Sequence, residues 1–428
     1  QETLAQFING ASAKNKAASA QAQYHSNSVK LTMGLRADDL ERTSYQEQSG
    51  GPLFAVSDEL ATTDGDSQTY YARLAWQLTP SLNWHINTCK LEKKAFYNSP
   101  GIAPFGDAPP TVNDIEYERK DLRSVLAWQF NDSLSINSGI DARQEKGISI
   151  GTIDFGILLD SDYQLERDLY GTFVELRWSV SESLRLNISG RNDHTAGSSN
   201  QETWKAGLEY ALNDEFALVA NLGQAFKAPS FFALGHQLVG NPHLRPELAD
   251  NKDLGFTYKS THLQARLNYF WVSYEDLIDF DPVDFINVNR ASISSHGTEF
   301  SLMGLNDTWR WQIAGHYTQL KTPQNTRLYG RPDWQLSANI NWDINHTWQL
   351  QVDLQTTASF DSASLHTGAT VSYEQKGYRL LGTTLRWQLN QKNQLNLSLG
   401  NVLNEKYSHA EGFPGNPRNV QLGWEMSW

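Results

Sequence analysis

The stretch that decides the fold is WQLSANINWDINHTWQLQVDL, residues 334–354. In its first half Trp334, Leu336, Ala338, Ile340 and Trp342 alternate with Gln335, Ser337, Asn339 and Asn341. After a short polar turn, Asn345–Thr347, the pattern returns, with Trp348, Leu350, Val352 and Leu354 against Gln349, Gln351 and Asp353. Successive side chains of a strand point to opposite faces, so each half is a strand with one apolar and one polar face. The polar face is mostly amide and hydroxyl, which suits a wet interior. Tryptophan stands at the ends of the apolar face, where a membrane-interface belt would lie.

The same alternation fills most of the chain, and helical periodicity is almost absent. In 263–271, Leu263, Ala265, Leu267, Tyr269 and Trp271 oppose Gln264, Arg266, Asn268 and Phe270. The last ten residues, NVQLGWEMSW, set Val420, Leu422, Trp424, Met426 and Trp428 on one face. Short polar turns recur at Ser26–Ser28, Pro80–Ser81, Asn131–Ser133, Ser181–Ser183, Asn213–Glu215, Ser260–His262, Asn306–Thr308, Asn345–Thr347 and Asn390–Asn393. Between them lie long connections at 44–67, 97–114, 150–166, 228–247 and 361–372. Short turns alternating with long loops are the layout of a bacterial outer-membrane barrel, turns on the periplasmic side and loops outside.

Nine such hairpins and one strand at each end make about 20 strands, or 22 if one hairpin is hidden. The expected fold is therefore all-β, one transmembrane antiparallel β-barrel over residues 1–428. Trp271, Trp334, Trp342, Trp348, Trp424 and Trp428 are its expected belt aromatics. A soluble propeller would also alternate, but it would carry a blade repeat, and none is visible.

Composition narrows the function. The net charge of −13 argues against a nucleic-acid partner, whose phosphates need a basic face. One cysteine, Cys89, excludes a disulfide framework or a cysteine-rich metal site. No run approaches the roughly 18 apolar residues of a spanning helix, which leaves strand crossing open. The opening QETLAQFING has no signal-peptide pattern and reads as strand from residue 2, as in a mature form or a piece of a longer chain.

One connection is unlike the rest. AFKAPSFFALGHQLVGNPHLRPE, residues 225–247, holds Pro229, Pro242 and Pro246. Proline cannot donate to a ladder, so Pro229 ends strand pairing after Phe226, Lys227 and Ala228. Gly240-Asn241-Pro242 is a turn signal, and Glu247 is an acceptor for free backbone N–H groups of the loop or for Arg245.

This segment resembles the "aPs…gNp.L.PE" signature of TonB-dependent outer-membrane receptors. Gly400-Asn401-Val402-Leu403-Asn404-Glu405-Lys406-Tyr407 resembles the segment before the last strand of that family, and Trp428 matches its terminal aromatic. SGRNDHTAGSSNQETW, YEDLIDFDP and NRASISSHGTEFSL are similar to the cobalamin receptor branch. The resemblance implies an integral outer-membrane receptor that takes up a corrinoid or similar large metal chelate. It also implies outer-membrane lipid and lipopolysaccharide as surroundings, and TonB as partner if a plug is present.

A family member of this kind has 22 strands and an N-terminal plug. The chain reads as lacking the plug and as one hairpin short between Leu82 and Ser133. The alternative is thus a plugless relative, a passive pore or a ring holding a partner protein in its lumen.

The expected ligand residues are those of the proline loop together with Tyr274 and Asp279, in a segment that mixes aromatics and acids. Asp58, Asp64, Asp66, Asp107 and Asp114 stand in expected extracellular loops, where converging carboxylates could hold calcium; a solvated acidic rim is the plainer reading. Arg266, Arg379 and Asp353 are expected lumen charges. The histidines show no ligand spacing, and no catalytic set converges. His296 lies near Ser294 and Ser295, but adjacent strand residues face opposite ways, so no enzyme is expected.

Overall fold

Every short turn read from the sequence falls between two paired strands, and one local device closes most of them. Asn131, Asn213, Asn306 and Asn345 each accept, through Oδ1, the backbone N–H groups two and three residues on, at 2.7–3.0 Å. Ser26, Ser181 and Ser260 accept the N–H three residues on, at 3.1–3.2 Å. A short polar side chain that caps its own turn satisfies donors the ladder cannot reach, which is why these residue types punctuate the chain.

The computed structural model describes residues 11–45, 60–100, 109–196, 200–281, 284–290, 292–322, 330–364, 371–410 and 413–426. These form one antiparallel sheet of 20 strands and three two-stranded hairpins. One of the 20 is a three-residue arm, Leu158–Asp160, at the rim. The other strands follow one another as an up-and-down meander, each paired with its neighbours in sequence, from Ala11–His25 to Asn419–Met426. The strand expected from residue 2 lies outside the described residues, as does Trp428.

Apolar side chains are on the outside. Among the described residues only Ala61, Ala233, Leu244, Phe360 and Tyr378 are buried hydrophobics, whereas Leu422, Leu254 and Ile140 are 78%, 59% and 53% exposed. A continuous apolar exterior of this extent is a lipid-facing surface. Register fixes the two faces. Trp342 lies opposite Trp309 and Leu350, while Asn339 lies opposite Gln312 and Asp353.

Tryptophans ring the periplasmic end, with Trp309 stacked on Trp342 and Trp348 on Trp387, each at 4.9 Å. Trp424 joins them, donating to Asn393 at 3.2 Å. Trp271 and Trp334 belong to the opposite ring. From Trp334 to Trp342 the strand advances about 27 Å at roughly 3.4 Å per residue, enough for a tilted crossing of the hydrocarbon band.

Two expectations are corrected here. The stretches 60–67 and 150–154 are strand, not loop, because Leu60–Thr79 and Leu134–Asp154 run on past the belt. The meander strands from Val29 to Ser179 are 17 to 21 residues long, those from Leu184 onward 8 to 13, so one side of the wall stands tall. Second, Arg379 faces outward: it pairs with Thr356, on the face of Leu350 and Leu385. Arg266 and Asp353 do sit on the lumen face, in register with Ser301 and Asn339.

Candidate functional site: a loop arch at the extracellular mouth

The proline loop does not stand out from the wall; it folds back along the inside. Lys227 pairs with Glu247 across the first rung of the ladder, at 3.0 Å between charges. Pro229 then ends pairing, and Ser230 caps a short helix, Phe231–Gly235, by accepting the Ala233 N–H at 3.1 Å. This helix rests on the inner face of Tyr163–Ser179, three strands away from Phe216–Lys227. Three strand spacings are roughly 14 Å.

Its seat is an ion pair. Arg167 donates through Nε and Nη2 to Glu145 Oε2 at 3.0 and 2.6 Å, and through Nη1 to the Pro229 carbonyl at 2.8 Å. The Tyr117 hydroxyl donates to the other Glu145 oxygen at 2.7 Å. The Arg167 guanidinium lies 4.9 Å from the Phe231 ring centre. Only 16% of the Arg167 side chain and 9% of the Glu145 side chain are exposed. A buried pair is tolerated when hydrogen bonds reach its polar atoms, and here all three Arg167 nitrogens and both Glu145 oxygens have a partner.

The far half of the loop is tied to a second loop. His236 is buried, and its Nδ1 accepts the Leu238 and Val239 N–H groups at 3.2 and 3.4 Å. Burial lowers its pKa from the ordinary histidine value, which suits a neutral acceptor. The turn so formed presents the Val239 carbonyl to Asn287, whose backbone N–H and Nδ2 both donate to it, at 2.9 and 2.7 Å. Asn241 Nδ2 donates back to the Asn287 carbonyl at 2.8 Å. Arg245 pairs with Asp276, and its backbone N–H donates to Asn289 at 2.8 Å. Glu247 Oε1 accepts the Ile278 N–H at 2.9 Å. The sequence offered Glu247 a backbone partner or Arg245; the structure gives it the backbone and Lys227.

This second loop is a hairpin, Ile278–Asp281 with Ile286–Asn289. Asp279 supports it through an ion pair with Arg290 at 2.7 Å. Phe285 adopts a left-handed φ of 54°, a conformation that costs a bulky residue about 1–3 kcal/mol. That backbone sets the ring edge-on to Phe280, 5.2 Å away, and to Phe155, 6.4 Å away on the tip beyond Leu134–Asp154. Two neighbouring loops and the tip of a more distant hairpin thus meet in an arch, with Phe155, Phe280 and Phe285 exposed on it. Tyr274 enters from the lumen face at the strand end, opposite Ala249 and Ile293.

Below the arch the inner wall is polar. Arg191 pairs with Asp141 and Asp193, and Arg123 and Arg191 both lie over the Phe173 ring. Farther round, Arg266, Glu299, His316, Gln335 and Gln355 line a recess of about 540 Å³.

The expected calcium residues fare differently. Asp58 and Asp107 lie outside the described residues. Asp64, Asp66 and Asp114 are on strands, not in loops, and share an outward groove with Lys94 and Glu116, which pair at 2.7 Å. Among the described residues no group of three acidic, histidine or cysteine side chains could hold a metal ion.

Sequence reading missed Arg167, Glu145, Tyr117, Asn287 and Asn289. The parity of Glu145 and Arg167 marks both as lumen-facing charges of opposite sign, but their pairing needs the register Glu145 opposite Arg167.

A polar-lined barrel with an apolar exterior and aromatic rings defines an outer-membrane β-barrel. Comparison makes this specific: residues 93–404 match the family described as TonB dependent receptor-like, beta-barrel, and the chain belongs to that family. It is an integral protein of the bacterial outer membrane.

Among curated relatives, the vitamin B12 transporter BtuB of Vibrio cholerae is 21% identical over 319 residues, 71% of this chain and 48% of that protein. The iron-regulated outer membrane virulence protein of the same species is 20% identical over 302 residues, 63% of this chain and 46% of that protein. The chain thus spans about half the length of the curated relatives it matches.

Among solved structures, the ferripyoverdine receptor of Pseudomonas aeruginosa aligns with a TM-score of 0.80 at 15% identity, covering 97% of this chain and 65% of that one. The ferric-catecholate import receptor Fiu of E. coli K12 aligns at 0.77 and 14%, covering 98% and 75%. These likenesses place the fold.

Proposed function

We propose that this barrel is the wall of a receptor that takes up a corrinoid or a similarly large metal chelate. The observation that carries the reading is the arch: ordered loops close over a polar lumen and present Phe155, Phe280 and Phe285 to the outside. A ligand with mixed polar and apolar surface is held by such a combination of aromatic faces and convergent amides. Relatives named for vitamin B12 and structures of ferric-chelate receptors support a chelated metal as cargo. The cobalamin-like segments at 189–204, 274–282 and 289–302 favour a corrinoid.

Energised passage in this reading requires a plug in the lumen and TonB in the periplasm. The outward lysines Lys90, Lys120 and Lys146, above the lipid belt and paired with Glu118 or Glu166, would face the lipopolysaccharide headgroups. The test is titration of the purified natural protein with cyanocobalamin and with ferric catecholate and ferric hydroxamate chelates, read by tryptophan quenching. Saturable binding of one class, weakened at least tenfold by Phe280→Ala with Phe285→Ala, is expected. Saturable binding of none of them overturns the reading.

A further inference from the structure

We propose that Glu145, Arg167 and Gly147 form a pin that holds the 228–247 loop as a strap inside the mouth, and that releasing the pin frees the strap while the barrel stays folded. The inference concerns the loop's own hold and does not depend on which ligand is carried. Three observations carry it.

First, the strap's helix is seated three strands from where its chain leaves the wall, so neither flanking strand fixes its position. Second, the seat is one buried cation with few substitutes. Arg167 alone joins the wall carboxylate of Glu145 to the strap carbonyl of Pro229, while stacking on Phe231. A lysine there, a compact charge without the planar fork, could not bond Glu145 twice and Pro229 while stacking on Phe231.

Third, the wall is shaped for the strap. A Cβ on Gly147 would meet the Phe231 ring at 2.4, 3.0 and 3.3 Å, and its three nearest neighbours all belong to that ring. Gly147 therefore gives the strap its space. A larger residue there presses on Phe231 first and leaves the ladder partners Tyr117 and Leu165 their backbone pairing. Its other end has a hold that survives, because Val239, Asn241 and Arg245 remain tied to the 278–289 hairpin.

Two lesions of different chemistry should thus have one effect. Ala233, 6% exposed in the strap's own helix, is replaced by cysteine in a Cys89→Ser background of the natural protein. Its labelling by a water-soluble maleimide is timed at fixed pH, with barrel assembly confirmed by heat-modifiable migration on gels. Arg167→Met and Gly147→Val are each expected to raise the labelling rate at least tenfold. Should Arg167→Met fail to assemble, Gly147→Val alone decides, since it leaves the ion pair in place. A parental labelling rate in an assembled variant of either kind overturns the proposal.

Discussion

Ile188 and Asn187 are neighbours on the strand Leu184–Thr195 that point to opposite faces. Ile188 pairs with Leu176 and Ala206 and is 50% exposed. It lies midway between the levels of Trp178, opposite Leu186, and Trp204, opposite Gly190. Asn187 faces the lumen between Arg177 and Gly207. Arginine on the lipid face of a barrel costs about 2–4 kcal/mol at the midplane and about 0–1 near the interfaces, so Ile188→Arg, two residues inside the Trp178 level, should cost about 1–3 kcal/mol and lower the folding equilibrium roughly 5- to 150-fold. Asn187→Arg places the same charge in a wet interior, opposite Arg177, and should stay within about 1 kcal/mol of the parent. Urea titration of the protein folded into lipid vesicles, followed by tryptophan emission, measures both. If Asn187→Arg loses as much as Ile188→Arg, or Ile188→Arg loses nothing, the assignment of faces is wrong.

The His236 turn should respond to acid. Its neutral ring is the acceptor and its pKa in the seated loop is below the ordinary value, so above the ordinary histidine range the loop is fully held. As pH falls below that range the released form takes up the proton first, and the hold weakens until the lowered pKa is passed. A dye on Gln237→Cys, in Cys89→Ser, should lose anisotropy over this window, and His236→Asn, which keeps an acceptor without titrating, should abolish the change. Asn401 holds a left-handed φ of 47° and bonds through its side chain to the Glu405 carbonyl, the Asn416 carbonyl and the Glu405 N–H at 2.8–3.0 Å. Asn401→Ala should cost about 2–4 kcal/mol in the same urea titration, and Asn401→Gly less, since glycine removes only the hydrogen bonds.

The wall was legible because its information is local. Parity alone put Trp342 and Leu350 outside and Gln349 and Asp353 inside, and the self-capping Asn and Ser residues marked the turns. Arg379 shows where parity needs an anchor: it lies in no clean alternating run, and only pairing with Thr356 fixes its face. Strand length past the belt was also hidden, since Asp64 and Asp66 read as loop by composition while the ladder simply continues through them. The loop site was half legible. Pro229, Gly240, Asn241, Pro242 and Pro246 announced irregular backbone, but their partners Arg167, Asn287 and Asn289 come from distant strands and hairpins that no local pattern connects.

Carriage of a large chelate through this barrel is read out by uptake. Cells that depend on the natural protein for labelled cyanocobalamin are compared with and without TonB, and with the barrel gene deleted. Accumulation that needs both is expected. Uptake that needs the barrel but persists without TonB would contradict energised import and point to a passive pore, and uptake indifferent to the barrel would exclude the corrinoid as its cargo.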